Sequence, residues 1–232
     1  MQKNYPKIIL EFRRTKISTA GFNEHYCNKY FKINLNYRTT SQSILHRGLF
    51  IGRFQPFHLG HLATIKFALT NVKELIIAIG SADKSHELRN PFTAGERIEM
   101  IKSSLDADNE IDISKIFTIP IPDINIHSLW THQVDVLVPK YNLVFSNDPF
   151  TCILFREKGK KVIEPTLHQR EVLSATEVRC RMIKNGDWKR LVTSQTVKVI
   201  EDIHGIKRMK AIFAKNSETS YSCLDFFHKG GK

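Results

Sequence analysis

The chain has 232 residues, 41% of them hydrophobic, enough for one globular domain with a sizeable core plus extensions. No stretch is apolar for the length of a membrane span. The four cysteines, Cys27, Cys152, Cys180 and Cys223, are scattered without CxxC spacing, which argues against a disulfide framework or a cysteine zinc site. The net charge of +12 sits in the ends: residues 1–47 hold nine Lys/Arg against two Glu, residues 204–232 six against two acidic residues, and 20 basic against 19 acidic lie between. A nearly neutral centre points to solvated basic tails and to no specific nucleic-acid partner.

Residues 1–46 show little organisation. IIL and FKINLNY could form short strands, but periodicity is not sustained and no secretory h-region is present. The segment is poor in acid and carries Arg13 and Arg14, so it reads as a family-foreign extension or a targeting segment. The core of the chain begins after it. Leu49, Phe50 and Ile51 form a short apolar strand, which Gly52 ends. Pro56 then stiffens a tight loop, and Gly60 and His61 open a helix with Leu62, Ile65, Phe67, Ala68 and Leu69 at near-helical spacing. A helix starting just past a strand's carboxyl end presents free N–H groups and partial positive charge to the crevice where open α/β sheets bind ligands; phosphate is its natural guest. His58 and His61 are spaced to face one anion, Gly60 permits close backbone approach, and Arg53 adds a guanidinium.

Glu74 to Ile79 reads as a second buried strand, closed by Gly80-Ser81 and parallel to the first. Thr93-x-x-Glu96 is a capping box for a helix with Ile98, Met100, Ile101 and Leu105 on its apolar face, a sufficient structural account of Thr93 and Glu96. Phe117 to Ile121 reads as the third strand. A helix follows from near Ser128, with Trp130 in its first turn and His127 and His132 as surface or packing residues. Leu143 to Phe145 is the fourth strand, PFTCILFREKG a short helix ended by Gly159, and KKVIE the fifth strand. Ser174 and Glu177 form another capping box, opening a helix from Ala175 to Lys184 with Asn185-Gly186 as its stop. Its first-turn N–H groups, the Ser174 and Thr176 hydroxyls and Arg179 make an anion clamp. TVKVIEDIHGIKRM is a last amphipathic helix, stopped near Gly205, and residues 209–232 read as a disordered tail. The elements together predict an α/β fold, a parallel sheet of about five strands flanked by helices.

HLGH at residues 58–61 is the HxGH signature of the nucleotidylyltransferase superfamily. The longer run GRFQPFHLGH resembles the archaeal type of nicotinamide mononucleotide (NMN) adenylyltransferase. So do GSADKSHELRNPFTAGER, IPDINIHSLW and SATEVRCRM, which extend the resemblance from about Arg47 to about Leu191 and on toward Arg208. It implies a Rossmann-like catalytic domain over 47–208 that makes NAD from NMN and ATP. By the same resemblance Arg53, His58, His61, Arg89 and Arg179 form the catalytic, phosphate-holding set, and Gly52, Phe54, Gly60, Ser81, Ser174 and Thr176 bind ATP. Asp123 and Trp130 take the NMN portion; a flat aromatic face suits a cationic pyridinium ring. Outside that resemblance, Arg89 reads as a solvated loop charge and Trp130 as core. Mg2+ is implied, held mainly through the ATP phosphates, in a cytoplasmic homo-oligomer, commonly a hexamer. Two departures stand out: Ser146-Asn147-Asp148-Pro149 replaces the usual SGNP, and Ala175 stands where relatives often carry Gly or Ser.

Rival readings differ in what they require. A nucleotidylyltransferase acting on a phosphopantetheine-type acceptor would share HxGH but not GRFQPFH or IPDINIHSLW. A class I aminoacyl-tRNA synthetase needs a KMSKS-like loop and an anticodon-binding domain, and neither is here. A non-catalytic nucleotide sensor or a basic-tailed RNA-binding module would be favoured by a broken phosphate-binding set, yet both histidines and the arginines are in place.

Overall fold

Five short runs rich in Leu, Ile, Val and Phe become parallel strands, and the stretches between them become helices. The computed structural model describes residues 45–165 and 173–216. The expectations placed on residues 1–44 and 217–232 lie outside the described residues. In chain order the elements are β1 (Leu45–Gly52), α1 (Leu59–Leu69), β2 (Val72–Ile79), α2 (Ala94–Asp106), β3 (Ile116–Pro120), α3 (His127–Leu137), β4 (Leu143–Phe145), α4 (Pro149–Glu157), β5 (Lys161–Ile163), α5 (Ala175–Ile183), α6 (Ser194–Asp202) and α7 (Gly205–Asn216).

The strands form one sheet in the order β3-β2-β1-β4-β5, every pair parallel. Phe50 of β1 lies between Ile77 and Phe145 in register. Alternation along the central strands divides the side chains into two cores, as burial on both faces requires. Phe50, Leu75, Ile77, Ile79 and Phe145 meet Ile65, Ala68, Met100, Ile101, Leu105, Val178 and Ile200 from the helices on one face. Leu49, Ile51, Ile76, Ala78 and Val144 meet Val134, Val138 and Phe155 on the other. Strand order reverses at β1, whose neighbours are β2 on one side and β4 on the other. The carboxyl ends of β1 and β4 therefore flank the switch point at which such sheets bind ligands.

The structure corrects three boundaries. β1 starts at Leu45, inside the segment read as an extension, because β2 reaches back far enough to pair Leu45 with Val72 and Arg47 with Glu74. Arg47 also donates from Nε to the Glu74 carboxylate at 2.9 Å. The last helix is two helices. α6 ends at Asp202, and His204 takes a left-handed φ of 51° that turns the chain before Gly205 starts α7. A Cβ on Gly205 would stand 2.9 Å from Phe92 and 3.2 Å from Ile200, so the glycine serves close packing there. α7 then continues through residues 209–216, where the sequence predicts a tail. Met209 is buried in the core, and Arg208 pairs with Glu96 at 2.7 Å through both guanidinium nitrogens.

Candidate active site

A crevice of about 960 Å³ opens at the switch point. Its wall includes Gly52, Arg53, Phe54, His58, Gly60, His61, Ser81, Arg89, Asp123, Trp130, Ser174, Thr176 and Arg179, so every residue singled out from the sequence as catalytic, ATP-binding or NMN-binding meets on one surface. They arrive from five places: the β1–α1 turn, the loop after β2, the loop after β3, the start of α3 and the start of α5.

At the start of α1 the two histidines cap the helix for each other. The His61 N–H donates to His58 Nδ1 at 3.4 Å and the His58 N–H donates to His61 Nδ1 at 3.3 Å. This is the geometry of a capping box with imidazoles in place of the hydroxyl and the carboxylate. The rings stack, centroids 3.6 Å apart and planes 23° from parallel. Because each Nδ1 accepts, each ring carries its proton on Nε2 and is neutral. Electrostatics agree. Burial, and then the charge of Arg179, pulls the His58 pKa down to about 3, while burial and the neighbouring His58 hold His61 well below its ordinary value. The pair thus presents neutral N–H donors, not imidazolium cations. Gly60 fits between them: a Cβ there would come within 3.0 Å of the His58 ring and 3.2 Å of the Leu173 carbonyl.

α5 forms the facing wall. Ser174 Oγ accepts from the Glu177 N–H at 3.1 Å. The reciprocal half of the expected capping box is not made, because the Glu177 carboxylate turns one helical turn along to accept from Arg181 Nε at 2.7 Å. Arg179 is 1% exposed. Its Nη1 donates to the Gln55 carbonyl at 2.7 Å and its Nη2 to Thr176 Oγ1 at 3.3 Å, which ties α5 to the β1–α1 turn. Arg53 and Arg89 are exposed at the crevice mouth. Desolvation by the crevice walls and the like charge of Arg89 both lower the Arg53 pKa, as two guanidinium groups converging on one space require.

On the opposite side, the Asp123 N–H donates to Asp83 Oδ1 at 2.7 Å, which pins the loop after β3 to the loop after β2. Trp130 is half-buried, its ring edge-on to Phe155 at 5.8 Å, with the crevice at its side. The departure at Ser146-Asn147-Asp148-Pro149 has a structural account. Asn147 is not among the non-glycine residues with left-handed φ, so the backbone does not require glycine there. Asp148 caps α4 by accepting from the Thr151 N–H at 2.8 Å, and Pro149 occupies the first helical position.

Several wall residues were not named as site residues from the sequence: Gln55, Lys84, Phe150 and Thr151. Gln55 lies within the run GRFQPFH, but its part depends on a distant segment. Its buried amide donates to the Phe92 carbonyl at 2.8 Å and accepts from the Phe92 N–H at 2.9 Å. Phe150 and Thr151 follow the altered SNDP loop, the one local signal that pointed to them.

Hydrogen-bond donors and positive charge dominate this wall, which suits the transfer of a nucleotidyl group from one phosphate to another. The cytidylyltransferase-like family model matches residues 49–181. The nicotinamide-nucleotide adenylyltransferase of Pyrococcus furiosus is 43% identical over 176 residues, covering 76% of this chain and 93% of its own. The corresponding enzyme of Saccharolobus solfataricus is 46% identical over 168 residues, 72% and 97% of the two chains. Among solved structures, a bifunctional NMN adenylyltransferase/ADP ribose pyrophosphatase from Francisella tularensis superposes with a TM-score of 0.65 at 26% identity. That alignment covers 75% of this chain and 54% of the bifunctional one. The nicotinic acid mononucleotide adenylyltransferase of Plasmodium falciparum, at 15% identity and a TM-score of 0.51 over 70% of this chain and 98% of its own, shares the fold. The chain belongs to the cytidylyltransferase-like family and, within it, groups with the archaeal nicotinamide-nucleotide adenylyltransferases.

Proposed function

We propose that this chain transfers the adenylyl group of ATP to the 5′-phosphate of NMN, giving NAD and pyrophosphate. The observation that carries the reading is the convergence of both helix starts and the Asp123–Trp130 side on one crevice large enough for two nucleotides. An oxygen of the NMN phosphate attacks the α-phosphorus of ATP, the bond from that phosphorus to the bridging oxygen breaks, and pyrophosphate leaves in line. A phosphate oxygen is already a competent nucleophile, so positioning and charge neutralisation suffice. His58 and His61 donate from neutral Nε2–H groups to the triphosphate as charge moves onto the bridging oxygen. Arg53, Arg89 and Arg179 hold phosphates, assisted by Ser174 and Thr176; Gly52, Phe54, Gly60 and Ser81 supply close backbone approach. Trp130 offers its face to the pyridinium ring, and Asp123 lies beside it.

Magnesium belongs to the proposal, carried mainly on the phosphates of ATP, where it neutralises charge during transfer. The protein donors on the wall are chiefly cations, hydroxyls and imidazole N–H groups, which suits a hard ion that keeps several waters and arrives with the nucleotide. Self-association is also proposed, as a homo-oligomer and by family resemblance a hexamer. Exposed apolar side chains support it: Ile126, Leu129, Val136 and Leu137 at and along α3 and Phe150 and Ile153 on α4. No helix among the described residues is long and apolar enough to cross a membrane, and a cytoplasmic location is part of the same reading.

The test is product identification. Purified protein incubated with magnesium, ATP and NMN gives NAD and one pyrophosphate per NAD, while phosphopantetheine in place of NMN gives no adenylylated product. Adenylylation of phosphopantetheine but not NMN would move the chain to another acceptor class.

A further inference from the structure

Among the described residues, the charged side chain with the least exposure lies outside the crevice wall. Arg97, in the first turns of α2, is 0% exposed. Its Nε donates to the Thr93 carbonyl at 3.1 Å, its Nη1 to the carbonyls of Arg53 at 2.9 Å and Gly80 at 2.8 Å, and its Nη2 to the Ser81 carbonyl at 3.0 Å. Among the described residues it makes no ion pair; four backbone carbonyls take its N–H groups, and Asp123, Asp83 and Glu96 act on the cation only at longer range. Burial and the charge of Arg53 pull its pKa down to about 10, which leaves it protonated at neutral pH.

Three of those carbonyls terminate β1 and β2 at the crevice. In a trans peptide the C=O and the following N–H point in opposite directions. Fixing the Arg53 carbonyl on Arg97 therefore turns the Phe54 N–H away from it, and fixing the Gly80 carbonyl turns the Ser81 N–H away likewise. Both Phe54 and Ser81 line the crevice, and no described residue bonds either N–H. Both also sit at left-handed φ, 53° and 49°, which non-glycine residues hold only when their surroundings compel it. At Ser81 that φ lets the Gly80 and Ser81 carbonyls face one side, where successive carbonyls of a strand would alternate. The third peptide is tied elsewhere, with the Ala82 N–H donating to the Ile121 carbonyl at 3.0 Å.

We propose that Arg97 is a positioning residue of the phosphate site: its guanidinium clamps the ends of β1 and β2 so that the Phe54 and Ser81 N–H groups form an anion cradle beside His58 and His61. It touches neither substrate. The inference rests on the adenylyl-transfer reading and adds a residue to it. The energetic logic is preorganisation, with the donors already aimed before the nucleotide arrives and a buried cation behind them raising the potential at the site.

The experiment compares wild type, Arg97→Lys and Arg97→Gln, with His61→Ala as the chemical control. Sites are counted by ATP titration and melting is followed by circular dichroism. Lysine keeps the charge without the fork, so kcat per folded site falls about tenfold or more while KM for NMN moves less than threefold; glutamine, which lacks the charge as well, falls further. A purely structural role lowers Tm and the number of folded sites but leaves kcat per site unchanged, and that result overturns the proposal. If neither variant folds, wild type decides: adding inorganic tripolyphosphate shifts the Phe54 and Ser81 amide resonances, and two unmoved amides overturn it. Wild type that makes no NAD while those amides respond indicts the reading of the function instead, and NAD formation that is lost in His61→Ala but unchanged in Arg97→Lys indicts only Arg97.

Discussion

α1 and α5 both begin at the crevice, yet their caps are built from different chemistry. At α1 the groups that cap the helix, His58 and His61, are the same groups proposed to meet the triphosphate, one nitrogen of each ring turned to the backbone and the other left for the ligand. At α5 the tasks are divided: Ser174 caps, Glu177 turns to Arg181, and Arg179 one turn along carries the charge. The difference teaches what each wall contributes. The first supplies fixed, neutral donors whose orientation is inseparable from the fold of the turn; the second supplies a cation whose cap can be altered without moving the charge.

The sharpest way to break that comparison is at His61. Its replacement by alanine removes cap and donor together, and kcat falls by about 10²–10³, the usual cost of one transition-state donor. Asparagine restores the cap acceptor near the Nδ1 position but not the donor, so Tm recovers and turnover does not. Glutamine, with an amide near the Nε2 position, recovers part of the turnover. Steady-state rates and melting curves on the three variants separate the two jobs, and parallel recovery of both properties in each variant would merge them.

On the α5 side, Arg179→Lys loses the fork that spans Gln55 and Thr176. A charged hydrogen bond of this kind is worth about 1.5–3 kcal/mol, so kcat/KM for ATP falls about 10- to 100-fold, and KM carries part of the loss. The His58 ring makes the next difference visible in pH. Its folded pKa of about 3 lies below the ordinary 6.5, so between those values the unfolded chain binds a proton that the folded chain refuses. The stability conferred by the neutral ring is present above about 6.5 and is lost as pH falls toward 3. Tm of wild type therefore drops more steeply from pH 6.5 to pH 4.5 than that of His58→Asn; equal slopes would show that the ring is not held neutral.

α2 offers a capped helix start with no proposed contact to substrate. Thr93 and Glu96 complete a full capping box there, and Glu96 also holds Arg208 of α7. Against the cost of burial, the Arg208 and Thr93 donors keep the Glu96 carboxyl below its usual range. Arg208→Met should cost about 1–3 kcal/mol of stability in chemical denaturation, with kcat per folded enzyme unchanged. The smallest effect is expected at Asn147→Gly, which restores the family's glycine where no left-handed φ demands it; rates within twofold of wild type check this.

Much of the fold is legible along the chain because its signals are local. Leu143 to Phe145 is a strand as read, the Ser174 hydroxyl caps where it was placed, and the helix after the third strand starts within a residue of Ser128. The convergence of His58, Arg89, Asp123, Trp130 and Arg179 followed from family motifs, since each lies at a strand's carboxyl end or at a helix start on the same rim. Arg97 was out of reach for a physical reason. In sequence it is an ordinary helix charge behind a capping box, and only the pairing of β1 with β2 brings the Arg53, Gly80 and Ser81 carbonyls around it. Gln55 was hidden the same way, its partners standing at Phe92 and Arg179. The stop near Gly205 is legible, but the second helix beyond it is not: the apolar spacing of 196–209 reads as one helix across the turn at His204, and Gly205 starts a new helix where its packing against Phe92 requires it.

The measurement that bears most directly on the crevice as the seat of adenylyl transfer is NAD formation from ATP and NMN with magnesium, run side by side on wild type and His61→Ala with matched numbers of folded sites. The account predicts steady NAD production by wild type and a loss of about two to three orders of magnitude in the variant, with ATP binding retained. Equal rates in the two proteins would contradict it, because the imidazole pair at the start of α1 would then have no part in the chemistry.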